Sequence, residues 1–407
     1  MTQDKHTCDV AVIGGGPGGA AAAIRAAEAG LSVTVLERDA FPRYHVGESL
    51  TGVAGNLLRD LGLGPAMADA GFPVKSGVKV LGRKGNEYFV PVLCPTWQVR
   101  RDHFDSVLLD RARKAGAQVV RARATGVISD AGRVRGLHYR ERSGEDGELH
   151  ANAVIDASGT ACFLSREGIA GAREYDTFGN QVAFFSQVRN AARDPGEMGD
   201  NTFIFYAKTH HWAWFIPLSN ELVSVGVVVP RDEFRRQGAD PKRTFDWGLE
   251  HIHPQLWERV QGREWTEPIR AIRDYSYRLT PFAGPGFLCV GDAHRFADPI
   301  FSFGVTASML EGMAAVDAVL RVASGETWNE AIAPYVRYSD TGQDAIHDFI
   351  EYFWTYPGFF GVQMRSRLRK EVIRLFGGDI FQPNQVVDQI RSLMREGAAR
   401  PALSPAD

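Results

Sequence analysis

Cysteine is scarce in this chain. Its 407 residues include four, Cys8, Cys94, Cys162 and Cys289, far apart and never arranged as Cys-x-x-Cys. That spacing offers neither a zinc site nor a disulfide framework, so no metal is expected, and reduced thiols in a cytoplasm are the simplest reading. A strong charge of either sign is also lacking: the formal net charge is −3. A general nucleic-acid binder needs a basic footprint, and none is present. No stretch reaches the roughly 20 consecutive apolar residues that cross a bilayer. The apolar run ending at Ile24 does not read as a signal peptide, because Asp4 and Asp9 flank it and a glycine cluster with Pro17 interrupts it. Repeats and low-complexity tracts are missing as well. What remains, 44% hydrophobic and 23% charged residues, is an ordinary soluble composition with length for two or three packed subdomains.

The N-terminal region is rich in glycine and alanine. Asp9–Ile13 (DVAVI) is a short apolar run that reads as a buried parallel strand. It leads into Gly14-Gly15-Gly16-Pro17-Gly18-Gly19 and then Ala20–Ala29, a strong helix former. A second strand is expected over Leu31–Leu36, ending on Glu37. Each part answers to a dinucleotide. Gly14 permits the tight turn, Gly16 lets the backbone approach a pyrophosphate, and Gly19 lets helix and strand pack closely. The phosphates rest on the free N–H groups of the helix N-terminus. Glu37, eighteen residues beyond Gly19, is placed to accept ribose hydroxyls. The glycine pattern alone is equally a glycine-rich loop; strand, helix, strand and acid in register make it a dinucleotide site. No second G-x-G-x-x-G occurs, so no separate NAD(P)H site is expected.

Three further segments resemble those of FAD enzymes. Gly286–Val290 (GFLCV) followed by Gly291-Asp292-Ala293 resembles their second fingerprint, whose aspartate contacts the ribityl chain; alone, Asp292 reads as well as a helix N-cap. Ala153–Gly159 (AVIDASG) resembles the middle strand of that fold. Gln98-Val99-Arg100-Arg101 with Phe104-Asp105 resembles the segment whose arginine, here Arg101, lies against FAD. The fold class expected is α/β, a Rossmann-like FAD-binding domain of the glutathione-reductase type. It carries an inserted antiparallel-sheet substrate domain and a mostly helical C-terminal region. Residues 1–70, 98–175 and 265–330 are assigned to the FAD domain, 71–97 and 176–264 to the covering sheet, and 331–407 to the helical region. Strands are expected at Gln181–Val188, Thr202–Tyr206, Trp212–Leu218 and Leu222–Val229, with an amphipathic helix from Thr306 to Val322.

The chemistry is carried by a resemblance to the flavin-dependent halogenases. Trp212-Ala213-Trp214-Phe215-Ile216-Pro217 matches their W-x-W-x-I-P signature, which implies that Trp212, Trp214 and Pro217 stand near the flavin. On patterning alone this is equally an aromatic strand in a core. Phe296–Gly304 (FADPIFSFG) matches F-x-x-P-x-x-S-x-G, the segment that passes the isoalloxazine at Pro299. The resemblance implies that backbone N–H groups at Ser302, Phe303 and Gly304 hold the halide; the plain alternative is a helix start capped by Ser302. Lys75, in Gly71–Gly77 (GFPVKSG), resembles the essential lysine of the family, with Lys79 as its rival. Arg43–Ser49 (RYHVGES) matches the loop beyond the second strand and places Arg43, Glu48 and Ser49 by the cofactor.

The resemblance implies a cytoplasmic enzyme of secondary metabolism, in which FADH2 and O2 oxidise chloride or bromide to hypohalous acid. Lys75 would then present the halogen to an electron-rich aromatic ring. A separate flavin reductase would supply FADH2, and no nucleic acid or membrane is involved. An FAD-dependent hydroxylase or epoxidase, or a geranylgeranyl-reductase-type oxidoreductase, shares the outer motifs. Phe301 stands where tryptophan-halogenating relatives carry glutamate, which points to a phenol or pyrrole, free or tethered to an acyl or peptidyl carrier protein. Phe303 replaces a small residue usual in the halide loop. The aromatic run Asp348–Phe360 could line a pocket or pack a core, and Arg365, Arg367, Arg369, Lys370 and Arg374 could dock an acidic carrier or form a solvated helix face.

Overall fold

A computed structural model describes residues 6–176, 180–273 and 275–398. The expected frayed end lies outside them from residue 399 onward. Apolar runs buried on both faces require a parallel sheet covered on both sides, and residues 10–13, the inner half of strand His6–Ile13, and Val33–Leu36 supply them. The first sheet runs, from edge to edge, Ala283–Gly284, Phe287–Cys289, Asp146–Asp156, His6–Ile13, Val33–Leu36 and Gln118–Val120; Ala122–Asp130 and Arg133–Glu141 continue it off Asp146–Asp156. The pairs from Phe287–Cys289 to Gln118–Val120 are parallel. Helix Pro17–Glu28 presents Ala20, Ala21, Ala22 and Ala23 to the core, all fully buried. Their short side chains bring it close to helix Gly304–Ala323, which begins two residues before the expected Thr306.

A second sheet covers one end of the first. Its order is Glu264–Trp265, Gln181–Arg189, Leu222–Pro230, His211–Pro217, Thr202–Lys208, Val74–Gly82 and Glu87–Trp97, with Arg270–Arg273 also paired to Gln181–Arg189. The expected sheet was antiparallel throughout; one pair is not. Thr202–Lys208 runs parallel to Val74–Gly82, in register from Thr202 opposite Val78 to Tyr206 opposite Gly82. These strands come from distant segments, so no tight turn forces them to reverse. Alternation then sorts the sheet. Phe203, Phe205, Phe215, Val225 and Val227 pack on helices Pro241–His251 and Pro254–Val260. Ile204, Tyr206, Trp212, Trp214 and Ile216 face the other way.

That other face meets the C-terminal helices, led by Trp328–Thr355, whose start is held by a capping box of Thr327 and Glu330. The aromatic run is core. Phe349 lies 4.5 Å from Phe301, 4.5 Å from Phe360 and 5.0 Å from Phe376, and no residue of 348–360 lines the cavities described below. Arg365, Arg367, Arg369 and Lys370 are exposed, whereas Arg374 pairs with Glu371 and Asp379. Among the described residues no helix is long and apolar enough to cross a membrane.

Candidate functional site

The C-terminal end of His6–Ile13 opens onto a cavity of about 330 Å³. Gly14 turns the chain there at φ +98°, and a Cβ would lie 2.6 Å from the Ala157 carbonyl oxygen. At Gly16 a Cβ would meet only Arg43 Nη2, at 3.6 Å, so the backbone is open to the cavity. Glu37, a cavity residue, accepts the Gly15 N–H at 2.6 Å and the Asp39 N–H at 2.8 Å. It therefore holds the turn from which it was expected to reach a ribose. Buried Asp105 accepts from Arg101 at 2.7 and 3.0 Å and lies 3.2 Å from Arg43 Nη1, fixing both guanidiniums at the wall. Arg101, His45 and Thr160 also line a second cavity of about 480 Å³, so the two are adjacent and share these residues.

The second cavity lies between the two sheets. Asp292 and Pro299 line it, and burial pushes the Asp292 carboxyl up to about 6. Trp212 and Trp214, two residues apart on one strand, present their rings side by side, with centroids 5.7 Å apart. Trp214 Nε1 donates to Ser224 Oγ at 3.1 Å. Pro217 does not reach the cavity; Ile216 does. Glu48 is buried on the wall, where Gln187 Nε2 donates to it at 3.4 Å and desolvation raises its carboxyl to about 7.

The Phe296–Gly304 segment is built by a short turn over Pro299–Phe301, after which Ser302 sits at φ +62°. Asp298 accepts the Ile300 N–H at 3.0 Å, and the Ser302 N–H donates to the Pro299 carbonyl at 3.0 Å. Helix Gly304–Ala323 then begins without a side-chain cap, so Ser302 is not its cap. Gly304 and Val305 line the cavity, at a helix start whose first-turn amides have no intrahelical acceptor and so favour an anion. Phe303 turns away. Its ring packs 6.3 Å from Phe301 and 5.8 Å from Phe349, so its bulk does not fill the loop's cavity side.

Lys75 lies opposite Thr96 on Val74–Gly82, just before a register shift that ends at Gly77. Asn201 Oδ1 holds this irregularity by accepting the Ser76 N–H at 2.9 Å and the Gly77 N–H at 2.6 Å. In a regular strand Lys75 and Lys79 would share a face; the bulge separates them. Lys79 pairs with Glu87 at 2.9 Å over the Phe203 ring. Lys75 is 1% exposed and donates to Ser49 Oγ at 2.8 Å and the Leu50 carbonyl at 2.9 Å. Among the described residues no carboxylate pairs with it, and desolvation lowers its amine to about 7. It does not line the cavity itself; Ser49 stands between. Thr202, which bonds Ser49 at 2.7 Å, and Asn201 were missed in the sequence, where single polar residues carry no spacing signal.

Residues 7–348 match the FAD binding domain family. The chain is 44% identical, over 92% of both proteins, to a 1H-pyrrole-2-carbonyl (peptidyl-carrier protein) brominase of Pseudoalteromonas luteoviolacea. It belongs to the flavin-dependent halogenases. A 1H-pyrrole-2-carbonyl (peptidyl-carrier protein) chlorinase of Pseudomonas fluorescens is 28% identical over 96% of this chain and 93% of its own. The solved flavin-dependent brominase Bmp2 superposes with a TM-score of 0.94 at 42% identity, covering 97% of this chain and all of that one. The halogenase thus has the expected mixed α/β fold and FAD as its cofactor. Its residues fit that group: the backbone at Gly16 is open to the first cavity, and a second cavity adjoins it at Arg101, His45 and Thr160. The hydroxylase and geranylgeranyl-reductase readings give way.

Proposed function

We propose that this halogenase places bromine or chlorine on a pyrrole ring carried by a peptidyl carrier protein, with Lys75 as its catalytic amine. Bound FADH2, with O2, supplies the oxidising power that turns halide into hypohalous acid. The chain's own residues do the rest. The uncapped first turn at Phe303, Gly304 and Val305 seats the halide, Trp212 and Trp214 wall off the cavity, and Lys75 receives the oxidised halogen. The observation that carries this reading is the buried lysine, without a carboxylate partner among the described residues, joined by one hydroxyl to a cavity lined by a helix N-terminus. Such an amine is a positioned donor whose charge is easily removed near neutrality. The named relatives and Phe301, where indole enzymes carry glutamate, support a pyrrole over tryptophan. A separate reductase is part of the proposal, because the chain holds a single dinucleotide fingerprint.

The test supplies pyrrolyl carrier protein, free pyrrole-2-carboxylate and free tryptophan in turn, with a flavin reductase, FAD and NADH, with and without bromide. Brominated pyrrolyl carrier, formed only with bromide, is expected. An oxygenated product independent of halide, or efficient halogenation of free tryptophan, overturns the reading.

A further inference from the structure

We propose that Ser49 and Thr202 form a two-hydroxyl proton relay between Lys75 and the flavin-side cavity, positioning the amine and setting its protonation. This rests on the reading of Lys75 as the catalytic amine. The argument is a count of hydrogens. Gln98 Nε2 lies 3.2 Å from the Asp200 carbonyl oxygen and 2.9 Å from Thr202 Oγ1. A carbonyl only accepts, so its neighbour is the amide nitrogen, and Gln98 must donate to Thr202 as well. At the other end a protonated Lys75 also only donates, and it donates to Ser49 Oγ at 2.8 Å. The two hydroxyls between these donors are 2.7 Å apart. They own two hydrogens, and the bond joining them uses one. Among the described residues no acceptor takes the other. Both residues line the cavity, the one open space beside the pair, so the relay assigns the spare O–H to it.

The chain of bonds has two directions. With Lys75 charged, hydrogens point from the amine and from Gln98 toward the hydroxyl pair, and one O–H points into the cavity. When Lys75 passes a proton to Ser49, Ser49 releases its own, directly or through Thr202, to solvent in the cavity. The amine is left neutral, able to accept from Ser49 instead. No bond other than O–H and N–H changes, and the cavity solvent gains the proton. A buried amine has no other exit for it: Lys75 is 1% exposed, and its second partner, the Leu50 carbonyl, cannot carry a proton onward. Ser49 is therefore more than a wall of the cofactor site.

The experiment compares Ser49→Ala, Thr202→Val, Thr202→Ser and Lys75→Ala as FAD-loaded enzymes with the flavin reductase. It measures product per FADH2 consumed, hypohalous acid escaping to a scavenger dye, and the pH midpoint of product formation. Ser49→Ala, read at saturating FAD because Ser49 walls the cofactor site, is expected to lower product per FADH2 about tenfold while dye halogenation rises. Its pH midpoint moves down by about one unit, because the ammonium loses one of two acceptors. Thr202→Val lowers product per FADH2 with a smaller shift, and Thr202→Ser restores it; a merely structural role predicts neither rescue nor shift. Unchanged coupling and midpoint in both Ser49→Ala and Thr202→Val, with Lys75→Ala inactive, overturns the relay alone. Product formation by Lys75→Ala overturns the lysine reading beneath it. Should Ser49→Ala fail to bind FAD, the Thr202→Val and Thr202→Ser pair decides: no difference between them refutes the relay.

Discussion

At the scale of single residues, Lys75 combines burial, two neutral acceptors and, among the described residues, no counter-charge. Lys75→Ala is expected to abolish product halogenation while FAD binding and flavin reoxidation persist, because the lysine touches neither the glycine turn nor Gly291-Asp292. Retention of more than about a tenth of product formation, a barrier change under ~1.4 kcal/mol, would refute its role. Lys79→Ala, which removes ion pairs with Glu87 and Asp194 and a contact over the Phe203 ring, all away from the cavity, is the mild control. The same burial makes Lys75 a source of instability with a defined pH window. Its affinity for a proton falls from the ordinary value of 10.5 to about 7 on folding. Between those values the unfolded chain binds a proton that the folded chain does not, so Lys75 makes stability rise with pH from about 7 to 10.5. Below about 7 the penalty of the buried charge is fully present. Lys75→Met is therefore expected to raise Tm most at and below neutrality, the gain shrinking toward the alkaline end. A gain that is flat across pH in thermal melts would sink that account.

Among elements, the helix Gly304–Ala323 and the bulge before Gly77 position the site. Gly304 lines the cavity, and a Cβ there would have nothing within 4 Å. Gly304→Ala is thus expected to fold and bind FAD normally while raising KM for bromide about tenfold, roughly 1.4 kcal/mol; an unchanged bromide KM would move the halide elsewhere. Asn201→Ala removes the acceptor of two backbone amides, costs about 2 kcal/mol of stability and loosens the lysine, seen in denaturant melts alongside product per FADH2. The elements themselves were largely legible. Strands expected at Gln181–Val188 and Leu222–Val229 occur at Gln181–Arg189 and Leu222–Pro230, because alternation and length set them locally. The motif residues Trp212, Trp214, Pro299 and Ser302 do meet in one cavity. What was not legible is long-range. The parallel pairing, the bulge that parts Lys75 from Lys79, and the bonds among Ser49, Gln98 and Thr202 join positions without any sequence spacing between them. The direction of Phe303 depended on the C-terminal aromatic core, which a local reading of the loop does not contain.

For the whole molecule, the single dinucleotide fingerprint leads to an expectation about the supply of electrons. Purified protein with FAD and NADPH alone is expected to leave the flavin oxidised, and adding a flavin reductase is expected to start halogenation. Rapid bleaching of flavin absorbance without the reductase would contradict this and reveal a nicotinamide site. The parallel pairing of Val74–Gly82 with Thr202–Lys208 carries a different consequence, in the order of manufacture. A ribosome extends the chain at about 5–20 residues per second, so the second strand emerges roughly ten seconds after the first. Throughout that interval the hairpin of Val74–Gly82 and Glu87–Trp97 exposes an unsatisfied edge bearing Val78 and Val80, both buried once the sheet closes. The lysine strand is made early and must wait, unprotected, for its neighbour. Soluble yield is therefore governed by how well the cell shelters a half-finished sheet, and slower growth or an abundant holding chaperone during expression favours it.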